Sequence, residues 1–189
     1  MELLAPAGNL ECALAAFDAG ADAVYGGLKR FNARERTENF SHEEMSRLIA
    51  YAHKLGRKVY VTFNTLVKEN ELDEAAHELA LLERLRPDAV IIQDLGIARI
   101  AREYFPKLTL HGSTQMGLHN SAGLAFAKKL GLSRVILERL QSKTTGPDLF
   151  FLFRLQCGFF GFALASPLLF RFAGSPFPAA RLFPDFYCR

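Results

Sequence analysis

The chain is 189 residues long, half hydrophobic and 23% charged, a globular composition with room for one sizeable core, which excludes a disordered or fibrous chain. A formal net charge of +3 and a pI near 8.8 suggest an anionic partner. Residues 1–140, however, carry 18 Lys plus Arg against 18 Asp plus Glu, and residues 141–189 carry 5 against 2, so the surplus lies in the tail and the main body has no strong nucleic-acid patch.

The elements follow in order. Glu2 to Ala5 reads as a short apolar strand, closed by Pro6-Ala-Gly8. Asn9 is an N-cap for a helix bearing Leu10, Ala13, Leu14 and Phe17, which Gly20 stops. Ala21 to Tyr25 is a second strand, ended by Gly26-Gly27 as a turn, and a charged loop follows with Lys29, Arg30, Arg34 and Arg36 among Glu35 and Glu38. Interleaved glutamates mark that loop as solvated rather than as an RNA contact.

Ser41-His-Glu-Glu44 has capping-box spacing, and Met45, Leu48, Ile49, Ala52 and Leu55 line one face of the next helix. Lys58 to Asn64 is β-branched and aromatic, a strand. A helix over Leu72 to Leu85 is blocked by Pro87, and Ala89 to Ile92 is a continuous apolar run suited to a parallel strand covered on both faces. Asp94 caps a helix with Ile97, Ile100, Ala101 and Tyr104. Leu108 to Gly112 is the fifth strand. Asn120 or Ser121 caps the fifth helix, and Arg134 to Leu137 is the sixth strand.

Six strands alternating with five helices predict an α/β domain with a parallel sheet over residues 1–139. Two closures fit: an incomplete TIM-barrel-like (β/α) domain, and an open doubly wound sheet. From Leu140 the pattern breaks. Eleven of the 17 phenylalanines lie in residues 141–189, with prolines at 147, 167, 176, 178 and 184 and acids only at Asp148 and Asp185. The apolar run Leu155 to Phe170, about 16 residues, is short of the roughly 20 that span a bilayer. Residues 140–189 are therefore expected to be a poorly ordered or out-of-frame tail, with self-association through its Phe-rich surface.

Parallel α/β sheets present chemistry at the carboxyl ends of their strands. Asn64, Gln93, Asp94, His111, Ser113 and Gln115 collect there and form the candidate binding rim, Asp94 also serving as a helix cap. Glu138 and Arg139 would extend the rim. No Ser-His-Asp order, H-E-x-x-H or close cysteine pair is present, so no metal site is expected and no nucleophile is named. Cys12, Cys157 and Cys188 are scattered, which excludes a zinc ribbon or disulfide scaffold and suits a reducing cytosol. The opening Met-Glu-Leu-Leu-Ala-Pro lacks a basic n-region, so a cytoplasmic location is expected.

Met1-Glu-Leu-Leu-Ala-Pro-Ala-Gly-Asn9, Gly20 to Gly27, Phe31-Asn-Ala-Arg34, Lys58 to Thr65, Asp88 to Asp94 and His111 to Met116 together resemble the N-terminal region of the collagenase-like peptidase family U32, up to about Arg139. The resemblance implies a barrel-type domain and an enzyme lineage acting on peptides, or hydroxylating bases of tRNA and rRNA or the ubiquinone ring. In relatives it implies an iron-sulfur cluster held on cysteines; none is expected in this chain. The family's cysteine-bearing segment after the sixth strand is absent, and Cys157-Gly-Phe-Phe-Gly161 lacks its second cysteine. The expectation is thus a truncated U32 protein, catalytically incomplete, with a peptide or RNA substrate. The alternatives are a fragment of a hydroxylation protein of that family, a non-catalytic partner-binding remnant, and a small-molecule barrel enzyme with a membrane-dipping tail.

Overall fold

A computed structural model of the protein describes residues 2–34, 38–137 and 168–171. Six strands alternate with five helices in order: β1 (Leu4–Pro6), α1 (Leu10–Asp18), β2 (Ala23–Gly27), α2 (His42–Lys54), β3 (Lys58–Phe63), α3 (Leu72–Leu85), β4 (Ala89–Ile92), α4 (Leu95–Tyr104), β5 (Leu110–Gly112), α5 (Ser121–Lys129) and β6 (Arg134–Leu137). A further strand, β7 (Leu168–Arg171), which the sequence pattern did not predict, pairs antiparallel with β6. The remainder of the tail, with the expected disorder, self-association and apolar run, lies outside the described residues, as do Glu138 and Arg139. Among the described residues no helix is long and apolar enough to cross a membrane.

Local chemistry explains the boundaries. Asn9, Ser41, Asp94 and Asn120 each accept a backbone N–H in the first turn of the helix that follows, and Ser41 with Glu44 completes a reciprocal capping box. After α3, Arg86 adopts a left-handed conformation (φ 57°) just before Pro87, which ends the helix.

The strands lie in sequential order, and every pair from β1 to β6 is parallel. A doubly wound sheet reverses direction at a switch point, which places helices on both faces. Here there is no reversal, so the doubly wound alternative is excluded and the helices share one face. Two alternating sets of strand residues follow. Val24, Val59, Val61, Val90, Ile92, Leu110 and Val135 pack outward against Phe17, Met45, Leu48, Leu79, Leu82 and Ile97 of the helices. Ala23, Tyr60, Ala89, Ile91 and Ile136 form a second, inner cluster.

The sheet is curled into a half-barrel. In a flat sheet five strand spacings would separate β1 from β6 by about 24 Å. Instead Arg134 of β6 donates to Glu2, just before β1, at 2.6 Å, and to the Tyr60 hydroxyl of β3 at 3.3 Å. Tyr60 in turn donates to Glu2 at 2.8 Å, and Lys58 to Glu2 at 3.1 Å. These contacts cross the inner face at the amino-terminal ends of the strands.

Partial burial alone would raise the Glu2 pKa, but hydrogen bonds from Arg134, Tyr60 and Lys58 outweigh it and hold the carboxyl at about 2, against an ordinary 4.5. Because the folded pKa is depressed, the stabilisation is complete above about pH 4.5 and is lost as pH falls toward 2. Glu2→Gln should therefore lower the urea midpoint at pH 7 by the equivalent of roughly 2 to 3 kcal/mol. The gap between variant and wild type should close on acidification from pH 4.5 to pH 2. A gap that persisted unchanged at pH 2 would show that Glu2 acts through packing rather than charge.

Candidate functional site

The two mouths of the half-barrel differ in what their polar groups do. At the amino-terminal mouth a recess of about 230 Å³ is lined by Lys58, Tyr60, Asp88, Thr109, His111, Ser133 and Arg134. Its charges are matched. Arg134 and Lys58 both bind Glu2, and Asp88 accepts from the Val59 amide at 2.8 Å and from His53 at 3.1 Å. Burial pushes the Tyr60 hydroxyl pKa well up, and the bond it donates to Glu2 pushes it further. Burial opposes the Arg134 charge, yet the hydrogen bonds to Glu2 raise its pKa above the ordinary value. A perturbed group in a cleft is a functional candidate in general. At this end of a (β/α) sheet, with each charge answered by a partner, the network is a structural floor.

At the carboxyl-terminal mouth, alternation along the strands sets which side chains face inward. The inward row of β3 is Lys58, Tyr60, Thr62 and then Asn64; that of β4 is Ala89, Ile91 and then Gln93; that of β5 is His111 and then Ser113. Asn64, Gln93 and Ser113 thus each follow directly on the end of β3, β4 and β5, Asn64 and Gln93 half-buried and Ser113 only 3% exposed. His111 lies one layer deeper, 5% exposed, with its ring edge-on to Tyr60 at 4.9 Å, so it belongs to the interior and borders the floor. Asp94 faces away. Its two oxygens accept from Ile97 N at 3.0 Å and Val67 N at 3.2 Å, which caps α4 and fastens the loop after β3 to it. Gln115 is exposed in a single 3-10 turn, Thr114–Met116, whose start is capped by the Ser113 hydroxyl.

The rim also contains a group that sequence reasoning missed. Asn32, in the loop after β2, is 4% exposed and reaches into the mouth. Its side-chain oxygen accepts from the Thr62 hydroxyl and from Arg34 N, each at 3.2 Å, and its amide donates to Asn39. Asn39 donates to the Arg34 carbonyl at 3.0 Å, and Asn64 accepts from Ala33 N at 3.1 Å. Phe31 holds a left-handed backbone (φ 58°), a conformation that costs a bulky residue on the order of 1–2 kcal/mol, and stacks on Phe63 at 4.8 Å. The loop is therefore not simply solvated: its first half is packed into the barrel.

Gly26-Gly27, expected as a turn, closes β2 instead. A Cβ on Gly27 would lie 2.1 Å from the Asn32 amide and 2.7 Å from the Thr62 hydroxyl, and one on Gly26 would lie 2.6 Å from the Phe40 ring. The glycines are required because side chains fill the space above them. Glycine inside a strand pattern signals such close approach, and it was the available clue to Asn32.

Among the described residues no group of three or more His, Cys, Asp and Glu converges to hold a metal ion. Cys12, the one cysteine among the described residues, is exposed on the outer helix α1.

Sequential strands, helices on one face and a polar carboxyl-terminal rim define a TIM-like (β/α) half-barrel of the kind that houses enzyme sites. The chain belongs to peptidase family U32, whose model matches residues 8–143. It is 41% identical over 138 residues to tRNA hydroxylation protein P of Escherichia coli, an alignment covering 73% of this chain and 30% of that protein. It is 43% identical over 139 residues to an uncharacterized protease of Methanocaldococcus jannaschii, covering 74% of this chain and 33% of the relative. The chain thus spans about a third of these relatives' length. A solved U32 peptidase shares the fold, with a TM-score of 0.58 and 11% identity over 72% of this chain and 58% of that one.

Gly27→Ala should force Asn32 out of the mouth and destabilise the protein by about 2 kcal/mol through overpacking. Urea unfolding gives the loss, and amide exchange should accelerate at Ala33 and Arg34 before it does in β4. Unchanged exchange at those two amides would contradict the pinning role of Asn32.

Proposed function

We propose that this chain supplies the nucleobase-binding half of an RNA-base hydroxylation protein, rather than a peptide-cleaving site. The observation that carries this reading is the composition of the rim. Asn64 and Gln93, each half-buried and next after the last residue of adjacent strands, offer uncharged donors and acceptors, the equipment that reads the edge of a base. The parts of a hydrolytic pair are directed elsewhere: the Ser113 hydroxyl accepts from Gln115 N at 3.2 Å, and the His111 ring turns to Tyr60. The name of the Escherichia coli relative, a tRNA hydroxylation protein, supports the same reading.

The role of the described residues is to bind and orient. Gln93 meets the substrate from the inner face, and Asn64 holds the adjoining loop in register through Ala33. The group that delivers oxygen lies beyond them. Nucleoside mass spectrometry of tRNA from cells with and without the chain tests this. The expectation is loss of one nucleoside bearing an added oxygen, restored by the wild-type chain and at most one-tenth restored by Gln93→Ala. Unchanged nucleosides together with lost cleavage of collagen peptides would support the peptidase reading instead.

A further inference from the structure

We infer that Leu66, Leu95 and His119 form a lip outside the carboxyl-terminal mouth, which covers the faces of the RNA bases flanking the one held at the rim. The inference rests on the RNA reading given above and adds a second contact surface to it. Its basis is where these three side chains stand. Leu66 lies two residues beyond Asn64 in the loop after β3, Leu95 two residues beyond Gln93 at the start of α4, and His119 in the loop between β5 and α5. The strands that lead into them are neighbours in the sheet, about 5 Å apart. Leu66 is 70% exposed, Leu95 is 50% exposed, and His119 is exposed as well. Three consecutive loops of one mouth therefore each place an apolar or aromatic side chain in solvent, just beyond the half-buried amides of Asn64 and Gln93.

The three positions are held in place. Asp94 accepts from both Val67 N and Ile97 N, so one carboxylate fastens the backbone next to Leu66 to the first turn that carries Leu95. The His119 ring bonds through Nδ1 to the Gly117 carbonyl at 2.7 Å, and since a carbonyl can only accept, Nδ1 carries the hydrogen. Single exposed apolar side chains are ordinary on a protein surface. Tyr51 and Leu55 at α2, Tyr104 of α4 and Phe126 of α5 are of that kind, on the outer helices. Leu66 and Leu95 differ because they share one joint and border the polar rim. A base reaches half-buried amides only by leaving its stack, which bares the faces of its neighbours to water. A ring at the edge of the mouth restores that stacking for any base, because every base has a flat face, and leucines cover the same faces by the hydrophobic effect. The rim reads the edge of one base, and the lip holds the next without selecting it.

The test is fluorescence anisotropy of the full chain with two probes: a short single-stranded RNA of randomised sequence, and the same RNA with abasic sites on either side of a central base. The variants are Leu66→Ser, Leu95→Ser, His119→Ala and His119→Phe. Leu55→Ser is the control, since Leu55 is 49% exposed at the end of α2. Leu66→Ser, Leu95→Ser and His119→Ala should each weaken binding of the intact RNA about five- to tenfold. On the abasic RNA, which the wild type should itself bind more weakly, the same three should change affinity by less than about twofold, because the faces they cover are gone. His119→Phe keeps a flat ring and should stay within about twofold of wild type on both probes. Leu55→Ser should match wild type throughout. Intact-RNA affinities for the three lip variants equal to that of Leu55→Ser, or equal losses on the intact and abasic probes, would overturn the lip while leaving the RNA reading intact. Failure of the wild-type chain to bind either RNA would overturn both.

Discussion

Glu2 and Arg134 are 132 residues apart in sequence and 2.6 Å apart in space, and the rest of the architecture depends on that meeting. A parallel sheet whose strands follow one another in order has a choice between lying open and curling. The bond from the sixth strand to the residues before the first, with Tyr60 between them, requires curvature. Curvature puts one set of alternating side chains into a confined interior. It also separates the strand ends into a mouth where charges cancel and a mouth ringed by uncharged polar groups.

That division decides how the site is understood. Glu2 and Tyr60, whose ionisation is shifted, and the recess beside them all lie at the amino-terminal mouth, where the partners are internal. A search guided by perturbed ionisation alone would settle there. Strand direction argues for the opposite mouth, where Asn64, Gln93 and Ser113 each follow directly on the last residue of three adjacent strands. Asp94 shows why position matters more than residue type, since its carboxylate is spent on two backbone amides.

Much of this was legible in the chain, for reasons that can be named. Helix caps are local, so Asn9, Ser41 and Asp94 could be read from a few residues each. The continuous apolar run Ala89 to Ile92 declared a strand buried on both faces, and it is one. The strand ends could be listed, but not which side chains turn into the mouth: His111 is buried a layer deeper and Asp94 faces away to cap α4. What was not legible depends on contacts distant in sequence. Arg134 reads as an ordinary strand residue until curvature brings Glu2 to it. Asn32 lies in a charged loop and gains its role only through Thr62, 30 residues later, and Gly27. The doubly wound alternative fell only to strand order, which the pattern of elements does not contain.

The central claim is that ligand meets this half-barrel at its carboxyl-terminal mouth. Titrating the isotopically labelled chain with total tRNA and following backbone amide resonances tests it most directly. The account predicts shifts at Ala33, Arg34, Gln93 and Ser113 with Lys58, Asp88 and Arg134 undisturbed. Shifts concentrated on Lys58, Asp88 and Arg134 would place the ligand in the recess at the other mouth and contradict it.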